Sequence, residues 1–118
     1  MKWITHALIA IGRWLRSLGR APRERRFRLQ VFEERARAVA SGRSNEVVAL
    51  FRSGGTNKWC FFVCPCGCGQ QVALNLMTSH HPSWRVVSDE QGPSIFPSVD
   101  STTCGAHFLV RDGHVIWC

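Results

Sequence analysis

The sequence predicts a mainly β fold, a small antiparallel β domain behind an N-terminal amphipathic helix. Two observations lead to this fold class. From Val47 onwards, about seven short apolar stretches are separated by turn residues, which is typical of a compact sheet protein. Before that region, the first 20 residues instead repeat their apolar side chains at the three- and four-residue spacing of a helix.

The N-terminal helix is predicted over residues 2–19. Gly19 and Pro22 end it, and Arg13, Arg16 and Arg20 lie largely off its apolar stripe. Such a helix either packs on its own domain or a partner subunit, or lies on a membrane surface. The stripe consists of Ile4, Ala7, Leu8, Ile11, Trp14, Leu15 and Leu18.

Charge divides the chain unevenly. Residues 1–43 hold 11 Lys and Arg against 3 Asp and Glu, whereas residues 44–118 hold 4 against 5. We therefore predict a basic helical arm and linker over residues 1–26 and a zinc-binding β domain over residues 27–118. The arm is suited to an acidic partner or membrane surface, but nucleic acid is disfavoured because the β region is not basic.

The predicted elements of the β domain follow in order. A short strand from Phe27 leads into a helical segment that ends at Ser41-Gly42. The stretches 47–51 and 59–63 are expected to pair as a hairpin with a long loop. Asp112-Gly113 predicts a tight turn between the last two strands. The remaining strands are predicted at 71–76, 84–88, 94–96, 107–111 and 115–117.

The run Cys64-Pro-Cys66-Gly-Cys68-Gly is the most specific feature of the sequence. Its sharp turns aim several thiolates at one point, as a structural zinc site requires. The fourth ligand is Cys104, or alternatively His107 with one loop cysteine left out. Disulfides are disfavoured because residues two apart pair poorly and because, with no convincing signal peptide, we expect a cytoplasmic protein with reduced thiols. Cys60 and Cys118 are predicted to be packing residues.

A series of short motifs follows in a fixed order: CPCGCG at 64–69, VALNL at 72–76, Trp84, PSV at 97–99, CGAHF at 104–108 and GHVIW at 113–117. Together they resemble bacterial domain-of-unknown-function family 6527. The resemblance covers about residues 46–118, and Ala106 departs from the Ser often found before the histidine. It implies a phage-defence pathway that conjugates a ubiquitin-like protein with E1-like and E2-like partners, in which this chain is a peptidase that processes or removes that protein. The alternative is a non-catalytic structural-zinc module that docks those proteins.

Ser98 and His107 are the candidate catalytic residues. A serine hydrolase needs a hydroxyl beside a general base, a group that orients the base, and an oxyanion hole. Ser98 is expected in a turn after Pro97, with Asp100 or Asp89 orienting His107 and backbone N–H groups around Gly105 forming the oxyanion hole. Alternatively, Ser98 caps a turn and His107 is a ligand or a core histidine. A zinc-activated water is disfavoured because thiolate-rich sites are poor Lewis acids.

Overall fold

The computed structural model describes residues 26–118. The helix predicted over residues 2–19, with its suggested membrane contact, lies outside the described residues, and the domain boundary at residue 26 stays a prediction. The described chain forms one short helix and eight strands. They are β1 (Arg28–Phe32), α1 (Arg35–Ser41), β2 (Val47–Ser53), β3 (Thr56–Val63), β4 (Gln71–Asn75), β5 (Arg85–Asp89), β6 (Gly92–Asp100), β7 (His107–Arg111) and β8 (His114–Trp117).

The strands form two four-stranded sheets in chain order. The N-terminal sheet is β1-β2-β3-β4 and the C-terminal sheet is β5-β6-β7-β8. All neighbouring strands are antiparallel except β1 and β2, which are parallel with Arg28 opposite Val47. The prediction of an antiparallel domain is therefore wrong at this one pair. The segment between β1 and β2 contains α1, because parallel strands need a long crossover connection. Within residues 26–118, no helix is long and apolar enough to cross a bilayer.

The main core lies between the two sheets. Phe62 of β3 meets Phe27 and Phe108 edge-to-face, with ring centroids 5.5 Å and 6.2 Å apart. Ile95 and Val110 of the C-terminal sheet are fully buried in the same core. Successive side chains of a strand point to opposite faces, so each sheet buries one face here and leaves a second face to be covered or exposed.

The helix covers the second face of the N-terminal sheet. Ala38 of α1 packs with Val47, Ala49 and Phe61 in a smaller core. Gly42 ends the helix so close to β3 that a Cβ atom there would lie 2.7 Å from Phe61 Cβ. Glycine is therefore required at this contact, and both faces of the N-terminal sheet are buried in part.

No helix or strand of residues 26–118 covers the second face of the C-terminal sheet, which is called the open face below. Val87 of β5 and Ile116 of β8 are 49% and 47% exposed there. The helix of the described chain instead packs on β1, β2 and β3. Isolated apolar residues on a surface are common. The polar side chains on this face therefore indicate its function better than its exposed apolar residues do.

The turns differ from the predictions in one place. The hairpin between β2 and β3 was expected to have a long loop, but its turn holds only Gly54 and Gly55, with φ of 61° and 76°. Two residues with positive φ make the tight turn that matches strand twist, so the long loop is wrong. Asp112 and Gly113 form the predicted tight turn with φ of 50° and 79°. The strand predicted at 94–96 is much longer, because β6 runs from Gly92 to Asp100.

Candidate catalytic pair and metal centre

The candidate nucleophile lies in an irregularity of β6. Ile95 pairs with Val110 and Val99 pairs with Phe108, so three residues of β6 lie between these pairs against one residue of β7. Pro97, one of the three, follows a cis peptide bond. Proline is tolerated within a sheet at such bulges because it cannot donate to the ladder, and bulges re-aim side chains. Ser98 therefore lies in a strand bulge, and the expectation of a turn was wrong.

The bulge brings Ser98 to the candidate base. His107 is the first residue of β7 and lies opposite Asp100. Its Nε2 atom is 3.0 Å from Ser98 Oγ, within the distance range expected of a nucleophile and its base. The imidazole is exposed and Ser98 is half-buried. The pair thus lies on the open face of the C-terminal sheet, accessible from solvent.

Two hydrogen bonds hold the backbone of this pair. Trp84 Nε1 donates to the Ser98 carbonyl oxygen at 3.2 Å. On the other side, the backbone N–H of Cys118 donates to the His107 carbonyl oxygen at 3.0 Å. The Trp84 contact therefore holds the bulge of β6, and the Cys118 contact holds the start of β7. The sequence pointed to Trp84 as part of a motif without indicating this contact.

The expected supporting groups do not take the predicted positions. Asp89 Oδ1 accepts a hydrogen bond from the backbone N–H of Gln91. Asp100 is the cross-strand neighbour of His107, yet neither carboxylate forms a hydrogen bond with the imidazole in the described part of the chain. The Gly105 N–H donates to the Ser101 carbonyl at 2.8 Å, so it is not free to form an oxyanion hole. Residues 26–118 therefore provide a serine–histidine pair with no orienting carboxylate.

The four cysteines of the predicted metal site converge. Their Sγ atoms all lie within 4.8 Å of one another, and the group does not contain His107. The distances are 3.4 Å from Cys64 to Cys66, 3.7 Å from Cys64 to Cys104 and 3.6 Å from Cys66 to Cys104. Sulfur ligands about 2.3 Å from a tetrahedral zinc lie about 3.8 Å from each other. The cluster could therefore hold a metal ion of this size.

The pKa values of the clustered thiols differ. Burial raises the pKa of the Cys64 thiol to about 12. Hydrogen bonds with the Ser101 side chain and the Ala106 backbone lower the pKa of Cys104 to about 6. Metal binding requires thiolates and releases their protons. Cys104 is thus prepared to bind a cation, whereas Cys64 needs a cation to offset the cost of burying its charge.

The metal cluster joins the two sheets beside the candidate pair. Three of the cysteines follow β3 of the N-terminal sheet, and Cys104 comes from the turn between β6 and β7. The backbone N–H of Ser101 donates to the Ala106 carbonyl at 2.8 Å and closes that turn. His107 begins β7 directly after it. A bound ion would consequently fix the turn from which the candidate base emerges.

The two remaining cysteines differ from each other. Cys60 is fully buried, and burial raises the pKa of its thiol to about 12, so it is a core residue as predicted. Cys118 is exposed, so its prediction as a packing residue was wrong. All six cysteines are free thiols. Neither remaining thiol belongs to the metal cluster.

Comparison with known proteins identifies one family. The model of the family described as bacterial ubiquitination-like system serine protease (BubE) matches residues 32–118. The matched range contains the four clustered cysteines, Ser98 and His107. No curated protein matches the chain, and no solved structure matches it either.

Proposed function

Since the chain belongs to the BubE family of bacterial ubiquitination-like system serine proteases, we propose that it is a peptidase in which Ser98 is the nucleophile and His107 the general base. The observation that carries the assignment is the 3.0 Å separation of Ser98 Oγ and His107 Nε2. The substrate is a ubiquitin-like protein of the same pathway, which the enzyme processes from a precursor or removes from a conjugate.

The pair performs acyl transfer in two steps. A neutral imidazole accepts the Ser98 proton at Nε2 while Oγ attacks the scissile carbonyl, and the imidazolium then gives that proton to the leaving amine. The resulting acyl ester is hydrolysed by a water molecule that His107 deprotonates in turn, and the proton returns to Ser98. Trp84 holds the Ser98 carbonyl during both steps, so it is a positioning residue.

The metal is structural in this proposal. Zinc is the metal suited to the four thiolates of Cys64, Cys66, Cys68 and Cys104. When bound, zinc supplies a rigid cross-link between the two sheets and no Lewis-acid chemistry, because four protein ligands leave no open position. His107 then remains free of the metal and available as the base.

The cellular setting is part of the proposal, and the family description supports only its link to a bacterial ubiquitination-like system. E1-like and E2-like conjugation proteins are the expected partners, antiviral defence the expected role and the cytoplasm the expected location. The rival proposal, a docking module without activity, uses the same metal site but has no need of the serine–histidine hydrogen bond. The catalytic pair therefore separates the two proposals.

Substitution of the pair tests the mechanism. Ser98→Ala and His107→Ala should each lower the rate of cleavage of a ubiquitin-like precursor on the order of 10³-fold or more, because a nucleophile and its base act as a unit. Melting temperature and zinc content should stay near wild type. Ser88→Ala changes an exposed serine of β5 in the same way and should leave the rate unchanged.

A covalent probe identifies the nucleophile directly. A small uncharged fluorophosphonate should label the wild-type protein on Ser98 and fail to label Ser98→Ala. Cleavage by Ser98→Ala at the wild-type rate would show that the serine mechanism is wrong and would favour the docking module. Zinc release by His107→Ala would instead show that the histidine is a ligand.

A further inference from the structure

The ring of Phe96 lies against two arginines on the open face of the C-terminal sheet. Arg111 Cζ is 3.9 Å from the ring centroid and Arg85 Cζ is 5.2 Å from it. Phe96 pairs with Arg85 across β5 and β6. Since alternate residues of a strand share a face, Arg111 shares the outer face of β7 with His107. The cationic cluster therefore lies on the same face as the catalytic pair, towards the other end of β7.

Neither arginine is neutralised by the described part of the chain. Arg85 is exposed, and its side chain contacts the Phe96 ring but forms no ion pair or hydrogen bond with residues 26–118. Arg111 donates from Nη1 to the carbonyl oxygens of Ile95 at 2.6 Å and Val110 at 2.9 Å, and it forms no ion pair with residues 26–118. Both hydrogen bonds use Nη1, so the guanidinium is held in place while its Nη2 and Nε donors are left for another acceptor.

We propose that Arg85 and Arg111 form a subsite that binds a carboxylate of the peptide substrate. The proposal rests on the proposed function, because it takes Ser98 as the point of cleavage. Guanidinium groups bind carboxylates through paired hydrogen bonds and lose little freedom when already oriented. The stacked ring and the two backbone carbonyls supply that orientation for Arg111.

The separation between the arginines and the catalytic pair limits where the carboxylate can lie in the substrate. Residues 96–98 form the bulge, so the distance is taken along β7, where Arg111 is four residues from His107, about 13 Å at the rise of a strand. An extended substrate has the same rise per residue, and the Arg111 side chain reaches back to the Phe96 ring, so the carboxylate is expected about two to four residues from the scissile bond. Two other carboxylates share this face: Asp100 lies beyond Ser98, on the far side from Phe96, and Asp89 lies at the opposite end of β5. Acidic substrate groups are therefore directed towards the arginines.

A carboxylate at that position has two sources, an acidic side chain or a free chain terminus. Four peptides that share one junction sequence and end about four residues after the cleaved bond separate them. They carry Asp or Asn about two to four residues from that bond, each with a free or an amidated C-terminus. Binding to the Ser98→Ala protein and cleavage by wild type are measured for each peptide. A preference for Asp identifies the side chain, and a preference for the free terminus identifies the chain end.

Substitutions connect that preference with the arginines. Arg85→Gln should weaken binding and raise KM for the preferred peptide by about tenfold to a hundredfold, as expected for a charge-assisted hydrogen bond, with little change for the uncharged peptide or in kcat. Arg85→Lys should recover part of the affinity, and Arg111→Gln should act in the same direction. Arg43→Gln removes the same charge from an exposed turn after α1 and should change neither peptide.

The two proposals fail in different ways. Labelling of Ser98 by the uncharged fluorophosphonate does not depend on the arginines, so a missing label overturns the proposed function. Normal labelling together with equal affinity for charged and uncharged peptides, or with a charge preference that survives Arg85→Gln, overturns the carboxylate subsite. A loss that is the same for all four peptides also overturns it, because that result indicates a structural role.

Discussion

The two sheets of this domain have the same number of strands and share one core, but their outer faces differ in how far they are covered. The N-terminal sheet covers its outer face with α1, where Phe61 is only 2% exposed. The C-terminal sheet leaves its outer face open and places Ser98, His107 and two arginines there. The first sheet thus provides most of the buried side chains, and the second presents the proposed catalytic pair.

This difference shows how a small domain can carry an exposed polar site. Polar groups that must meet a substrate cannot be covered, so the sheet that holds them loses the stabilisation of a second buried face. A metal ion held by the four cysteines would compensate, since these residues come from the loop after β3 and the turn before β7. We therefore expect substitutions to have effects that depend on which of these three parts they reach.

The largest effect is expected in the group of four cysteines that lies between the sheets. Cys64→Ser removes a buried ligand and should release zinc. Structural zinc contributes about 10–16 kcal/mol in small metal-dependent domains, comparable with the total stability of about 5–15 kcal/mol of a typical protein. The variant should therefore be unfolded at room temperature, and chelation of the wild type should have the same result.

Zinc analysis and thermal melting followed by circular dichroism measure this effect. Cys118→Ser changes an exposed cysteine outside the cluster and serves as the control, with wild-type zinc and melting expected. A zinc-free Cys64→Ser protein that melts cooperatively at the wild-type temperature would show that the two sheets stay packed without the metal ion.

A smaller effect is expected on the covered face. Phe61→Ala empties the contact between β3 and α1, and truncation of a buried phenylalanine costs about 3–5 kcal/mol of unfolding free energy. Urea unfolding measures the loss. Phosphonate labelling of Ser98 in the folded protein should persist, because the catalytic pair lies on the other sheet. A loss below about 1 kcal/mol would mean that the helix does not stabilise this face.

The smallest effect is expected on the open face. Ile116→Ala shortens a side chain that is 47% exposed, and substitutions at such surfaces usually change stability by less than about 0.5 kcal/mol. The same urea titration provides the comparison with Phe61→Ala. A loss as large as that of Phe61→Ala would show that the face is covered in solution, and the contrast between the sheets would then be wrong.

Much of the fold was readable from local sequence. Turns such as Asp112-Gly113 depend on two residues that tolerate positive φ, and the strand from His107 to Arg111 was predicted with its observed bounds. The parallel pairing of β1 with β2 was missed, because the alternation of apolar residues is the same in parallel and antiparallel strands. The short loop at Gly54-Gly55 was missed because the polar residues around it belong to the strands.

The sequence predicted the cysteine run as a metal site, because closely spaced cysteines are typical zinc ligands, but it left His107 as an alternative ligand. The tertiary structure brings Cys104 to the run without His107. The contact between Ser98 and His107 was decided by the tertiary structure. It depends on a bulge between Ile95 and Val99, on the register of β6 against β7, and on Trp84 holding the bulge from the neighbouring segment. Register and bulges arise from packing between strands that are distant in the chain, so no local pattern of residues specifies the 3.0 Å distance between these two side chains.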